Sequence, residues 1–197
     1  MIETPQGPRP IEDLRIGDLV VTKDHGPQAL RWIGDIYLSA LDLLLAPRLR
    51  PIRIRANAVR AGLPDRDLLL SPQHRILAQR GGREILVAAK YLLARQGIHA
   101  DLPLGGVRYL HLLFDRHEIL RVHGLWCESL LLRPAGVKAL PEQMAQNLRN
   151  HLQQTAGTAK HHRPARRILP KAQAYRGNLI LSGCDRPLDD KVTILPP

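Results

Sequence analysis

Ile11-Glu12-Asp13-Leu14-Arg15-Ile16-Gly17-Asp18-Leu19-Val20-Val21-Thr22-Lys23-Asp24-His25-Gly26 encodes a turn, a strand and a second turn in sixteen residues. Ile11–Arg15 followed by Gly17-Asp18 leads the chain through a turn into Leu19–Thr22, a short apolar, β-branched run of the kind that suits a pleated surface. Lys23-Asp24-His25-Gly26 then reads as a hairpin turn, because Asp and Gly tolerate the dihedrals such turns demand.

The same punctuation continues outward to about residue 140. Leu30–Ile33, Ile52–Ile54 and Asp67–Leu70 are further predicted strands, and Arg80-Gly81-Gly82-Arg83 is a turn from which Glu84–Val87 departs. Ala88–Ala94 suits one or two helical turns. Arg108–Phe114 and Glu118–Val122 read as a strand pair around Asp115-Arg116. Beyond Leu140 the pattern changes. Pro141 and Glu142 suit the first turn of a helix, and Leu140, Met144, Leu148 and Leu152 recur every four residues as one apolar stripe ended by Gly157. Lys160-His161-His162-Arg163-Pro164 follows as a basic linker. Leu179–Leu181 and Val192–Leu195 are short strand candidates separated by the turn-rich Ser182–Pro187. The expectation is an all-β domain over residues 1–140 and a helix, linker and short strands over 141–197, with the first part folding without the second.

Composition narrows the function. The 197 residues suffice for one sizeable core, and the aromatic content of 4% leaves few rings to stack on bases. No apolar run is long enough for a membrane-spanning helix, and Met1-Ile2-Glu3-Thr4-Pro5 lacks the basic start and apolar stretch of a signal peptide. Cys127 and Cys184 have no short spacing, so they suggest neither a disulfide framework nor a zinc knuckle, and the compartment is left open. The net charge of +11 invites nucleic acid as a partner. The arginines are scattered, however, so nucleic-acid binding is not expected as the primary function.

Two clusters carry chemistry. In Leu68-Leu69-Leu70-Ser71-Pro72-Gln73-His74 an apolar strand ends in a hydroxyl, and Pro72 turns the chain. A tight turn places Ser71, His74 and backbone N–H groups around one carbonyl, which suits polarising a peptide bond and protonating its nitrogen. From spacing alone, the commoner meaning is a Ser-Pro turn with a surface histidine. In the second cluster His111, Asp115, His117 and His123 share parity, so an unbroken strand would put all four on one face. Strand positions six residues apart lie about 20 Å apart, too far to share an ion. A zinc site would require a hairpin at Asp115-Arg116, and histidine as a proton-transfer group is the stronger reading.

These clusters, in this order, resemble the Hint family of hedgehog and intein self-processing domains, particularly its bacterial branch. Ile2-x-Thr4-x-x-Gly7 and Pro10-Ile11-Glu12-Asp13-Leu14-x-x-Gly17-Asp18-Leu19-Val20 look like the family's opening hairpin. Pro27-Gln28-x-Leu30-Arg31-Trp32-Ile33-Gly34 and Pro51-Ile52-Arg53-Ile54 are similar to its bacterial members. Ser71-Pro72-Gln73-His74 fits the T-x-x-H block with Ser for Thr, and Tyr109–Gly124 fits the last signature block. The resemblance implies a flattened horseshoe of strands, here with a C-terminal helix and a basic tail.

It also implies a mechanism without cofactor or metal. A Cys or Ser at the domain's first residue attacks the preceding carbonyl, shifting the peptide bond to a (thio)ester that a second nucleophile resolves. Ser71 and His74 inherit the polarising role. His111 and His117 inherit proton transfer, with the block's acidic member at His111 or supplied by Asp115. Two departures stand out. The family nucleophile lies several residues before the I-x-T segment, whereas Met1 stands immediately before Ile2, so the chain as printed is expected to be inactive. Glu128-Ser129 stands where inteins carry His-Asn, so Asn cyclisation and splicing are not expected; nearby Cys127, preceded by Leu125 and Trp126, reads as a buried strand residue. The expected function is N-terminal autoproteolytic cleavage in a longer precursor, with the upstream segment as partner. A secreted or surface precursor fits the resemblance. The competing class is a degenerate β scaffold that binds partners through its basic surface; a zinc- or His-dependent hydrolase lacks a compact ligand motif.

Overall fold

The computed structural model describes residues 1–133, 137, 140–154, 162–170 and 179–183. The expected all-β class with a C-terminal helix is borne out. β1 (Ile2–Thr4) and β2 (Gly7–Arg9) form the opening hairpin, and a single 3₁₀ turn at Ile11–Asp13 leads to β3 (Leu19–Thr22). β3 pairs with β4 (Gly26–Ala29) across the expected turn. β5 (Trp32–Leu38) starts two residues later than the sequence suggests and runs further, because seven of its residues pair with β11 (Val107–Leu113). α1 (Ala40–Leu45), not anticipated from the sequence, is closed by a capping box between Ser39 and Asp42.

β6 (Ile52–Ile54), β7 (Leu68–Leu70) and β10 (Ile98–Ala100) make a three-stranded sheet. The largest sheet is built around β8 (Arg75–Arg80), β9 (Arg83–Ala88), β12 (Ile119–Val122) and β13 (Leu125–Glu128), with the opening hairpins joined to β12. Gly81 and Gly82 join β8 to β9 with φ of +55° and +71°. Two positive values in a two-residue loop match the twist of the flanking strands, so glycine is required there.

One expected pairing does not form. β11 and β12 are not a hairpin around Asp115-Arg116. β11 pairs with β5, and β12 lies between β13 on one edge and β1 and β3 on the other. The intervening residues carry the chain from one sheet to another, with Arg31 holding Asp115 at the surface and His117 and Glu118 turned inward. Local spacing does not distinguish a hairpin from such a crossover.

Both faces of the main sheet are covered. On one face Ile76, Ala78, Ile85, Val87, Leu125 and Cys127 pack against Ile52, Ile54, Leu68 and Leu70 of the three-stranded sheet. On the other, Leu77, Leu86 and Ile119 pack with Trp126, Ala165 and Ile168. This explains why β8 and β9 read as nearly continuous apolar runs rather than alternating ones. β14 (Arg167–Ile168) joins β9 in parallel, and β15 (Ile180–Leu181), within the expected Leu179–Leu181 strand, pairs with β8. α2 (Glu142–Gln154) lays Met144 and Leu148 on Trp32, Leu113 and Leu132. The helix end expected at Gly157, the Val192–Leu195 strand, Cys184 and most of the Ser182–Pro187 turn lie outside the described residues.

Gly34 on β5 lies under the ring of Trp32, whose nearest carbon would be 2.0 Å from a Cβ added there. Gly34→Ala is expected to cost about 1–3 kcal/mol through overpacking. Chemical denaturation measures this, and an unchanged midpoint would mean that the indole moves aside freely.

Candidate functional site

The site grows from the end of β7. Pro72 sits second in a turn closed by the His74 N–H donating to the Ser71 carbonyl at 3.0 Å. The Ala89 and Lys90 N–H groups donate to the His74 and Pro72 carbonyls, stitching the turn to the 3₁₀ segment Ala89–Leu92. Ser71 is half-buried. The Nε2 of His74 is buried and has no hydrogen-bond partner. The turn is therefore rigid in backbone while its imidazole keeps a free nitrogen.

Next to this turn, β8 meets β13 at the Ile76–Cys127 register. That register brings Arg75 to Glu128. The carboxylate accepts from the Arg75 backbone N–H at 3.0 Å and from its guanidinium at 2.9 and 3.0 Å. A third partner is His117 Nε2 at 3.2 Å, on a ring only 2% exposed. Burial works to raise the Glu128 pKa, but the His117 hydrogen bond and the electrostatic pull of the His74, Arg75 and His117 side chains outweigh it, holding the carboxyl below its usual range. Glu128 is thus a buried anion, matched by the Arg75 cation.

His74 and His111 face this anion as neutral bases. Burial lowers the His74 pKa, and the Glu128 charge opposes that fall. Burial pushes His111 down to about 4, helped by His74. At neutral pH both rings are uncharged. The site consequently holds one anion, one cation and imidazoles able to take up a proton briefly and return it.

Of the residues singled out in the sequence, His117 holds Glu128 directly, His74 and His111 lie near enough to feel the Glu128 charge, and Ser71 is tied to His74 by their backbone turn. The other members of the parity set do not join them. Asp115 forms an exposed pair with Arg31 at 2.7 Å. His123 occupies the β12–β13 turn at φ +48°, its Nδ1 on Asp65 at 2.7 Å and its Nε2 2.8 Å from the Met1 nitrogen. The single histidine face is broken because residues 107–123 are split between two sheets. Among the described residues no group of three or more His, Cys, Asp or Glu is placed to hold a metal ion. Cys127 is buried in β13 and burial pushes its thiol pKa up, which suits packing rather than nucleophilic attack.

Glu128 and Arg75 are the members that sequence reasoning missed. The available signal was a lone acid inside the apolar Leu125-Trp126-Cys127-Glu128-Ser129-Leu130 run, a position that carries a charge only with a partner.

The basic charge does not collect in this site. Arg9, Arg31, Arg53, Arg75, Arg108, Arg149 and Arg166 each hold a carboxylate, and these pairs are spread over the separate sheets and α2. DNA binding is therefore expected to be weak, with Kd of about 10⁻⁴–10⁻⁶ M, independent of sequence and abolished by moderate salt. A salt titration of a labelled duplex checks this. A tight, sequence-selective complex at physiological ionic strength would promote the scaffold reading over self-processing.

Among the described residues no helix is long and apolar enough to cross a membrane. The model of the family described as Hint domain matches residues 1–134. No curated protein matches the chain. Among solved structures, the crystal structure of the MchDnaB-1 intein is similar at a TM-score of 0.38 and 10% identity, covering 64% of this chain and 93% of that one.

Proposed function

The chain belongs to the Hint domain family of self-processing modules, and on that premise we propose that it cleaves the peptide bond at its own N-terminal boundary through a (thio)ester, without splicing. The observation that carries this reading is the free, buried Nε2 of His74 on a turn whose backbone is held by three hydrogen bonds. Ser71 and His74 polarise the scissile bond. His111, Glu128 and His117 form the surrounding proton-handling set, contributed by strands and loops of residues 1–140.

The reaction closes on these groups. The nucleophile's proton passes to neutral His74 as the Sγ or Oγ bond to the carbonyl carbon forms. The resulting imidazolium, stabilised by the Glu128 charge, gives the proton to the amide nitrogen as the C–N bond breaks. A second nucleophile, thiol or water, then attacks the ester and releases the upstream segment. His117 acts through Glu128 rather than on the substrate, because its Nε2 is taken by that carboxylate.

The strand registers set how far a nucleophile before Ile2 must reach. Ile2 lies opposite Val122, Val122 opposite Leu125, and Cys127 opposite Ile76. Counting strand spacings and rises across β1, β12, β13 and β8 puts Ile2 about 20 Å from His74. Because β1 points the same way as β13, the chain before Ile2 leaves in the direction away from His74, so an upstream nucleophile reaches the turn only on a lead-in that doubles back.

The test is a fusion carrying a reporter protein and a Cys-containing lead-in before Ile2. Added thiol is expected to release the reporter by thioester exchange, with no cleavage after Glu128-Ser129, where no cyclising Asn stands. A folded fusion that releases nothing with thiol would overturn the reading. The scattered ion pairs count against a scaffold acting through a basic surface.

A further inference from the structure

His117 Nδ1 lies 3.0 Å from the backbone nitrogen of Ala165. A peptide N–H can only donate, so Nδ1 must present its lone pair, and the ring proton sits on Nε2, facing Glu128. Ala165 lies beyond the family-matched residues 1–134. We propose that the tail segment 162–168 is a positioning element of the processing site, with the Ala165 N–H fixing the tautomer of His117 and thereby the hold on Glu128. The functional half of this proposal rests on the self-processing reading; the tautomer does not.

The segment is anchored on both sides of that contact. The His162 N–H donates to the Leu132 carbonyl at 3.0 Å, and its side chain is buried, so the described end of the expected basic linker is docked rather than solvated. Arg166 donates to Glu84 on β9 at 2.7 Å and to Asp24 of the β3–β4 turn at 2.7 and 3.0 Å. Arg167 and Ile168 pair with Ile85 and Leu86, and the Leu169 N–H donates to the Leu86 carbonyl. Ala165 and Ile168 pack with Leu77, Leu86 and Ile119, which closes the second face of the main sheet directly over His117. Arg166 is the latch, because a fork bonded to two carboxylates on separate elements fixes the backbone of its neighbour Ala165.

A merely structural tail and a positioning tail differ in one observable. Imidazole ¹⁵N spectra of the full chain, with His117 assigned by His117→Gln, report which ring nitrogen carries the proton. The parent is expected to show a protonated Nε2 and an unprotonated, hydrogen-bonded Nδ1. Ala165→Pro removes the donor itself, and Arg166→Ala releases the latch; both should average the two ring signals. Arg166→Lys, which keeps a cation with fewer donors, should fall between. In the thiol-release fusion the two stronger variants should slow release about five- to tenfold, as expected for losing one orienting hydrogen bond. A parent with the proton on Nδ1 would overturn the proposal. So would variants that lose thermal stability yet keep the split ring signals and the parent's release rate. If the ring signals respond as expected but the parent fusion releases nothing, the processing reading fails and the tautomer lock stands.

Discussion

His74→Ala, in the fusion with a Cys-containing lead-in, is expected to release the reporter about 10²–10⁴-fold more slowly than the parent. The substitution removes the one imidazole among the described residues whose buried Nε2 is unpartnered, and with it the group that carries the nucleophile's proton to the leaving nitrogen. The fold should survive. The turn is closed by backbone bonds from His74, Ala89 and Lys90, none of which uses the ring. Ser71→Ala should have the smaller effect, since a hydroxyl is one donor among several. The pH profile supplies an independent check. Burial lowers the His74 pKa below its ordinary 6.5, so the neutral base is already present at neutral pH and is lost only as the medium becomes more acid. Release should stay level down through about pH 6.5 and fall only in more acid medium. Full-rate release by a folded His74→Ala fusion would remove His74 from the mechanism.

Glu128→Ala is expected to destabilise the chain by about 3–5 kcal/mol, because it strands the Arg75 guanidinium and the His117 N–H in a region from which water is largely excluded. Glu128→Gln keeps the shape and an acceptor and should cost less. It nonetheless removes the charge that opposes the fall in the His74 pKa, so release should slow several-fold and its acid limb should move to lower pH. The sign for stability is the same as for the buried, neutral His74, because in both cases the unfolded chain takes up the proton more readily. Since the folded Glu128 pKa lies below its ordinary 4.5, its contribution is fully present above that value and is lost as pH falls further. The parent should therefore lose stability in acid from about pH 4.5 downward more steeply than Glu128→Gln. Denaturation midpoints at several pH values decide this, and parallel curves would mean that Glu128 is not ionised in the native state.

Much of this molecule is written locally. Leu19–Thr22, Ile52–Ile54 and Glu84–Val87 form strands because β-branched and apolar runs between turn residues have few alternatives, and Gly81-Gly82 specifies its hairpin through two positive φ values. The Ser71–His74 turn follows from Pro72, and the four-residue stripe through Met144 and Leu148 forms the helix it suggests. The ordered motif blocks likewise carry the family signature within residues 1–134. The strand pairings were decided elsewhere. Whether Val107–Leu113 folds back on Ile119–Val122 or crosses to Trp32–Leu38 depends on which distant edge buries more apolar surface, and turn chemistry at Asp115-Arg116 does not encode that choice. The site depends on it too. Glu128, Arg75 and His117 meet only through the register of β13 with β8 and the inward turn before β12, and Ala165 reaches His117 only because the tail covers a sheet face. Periodicity and turn propensity act over a few residues, whereas a buried charge finds its partners through contacts tens of residues away, and those exist only once the sheets have packed.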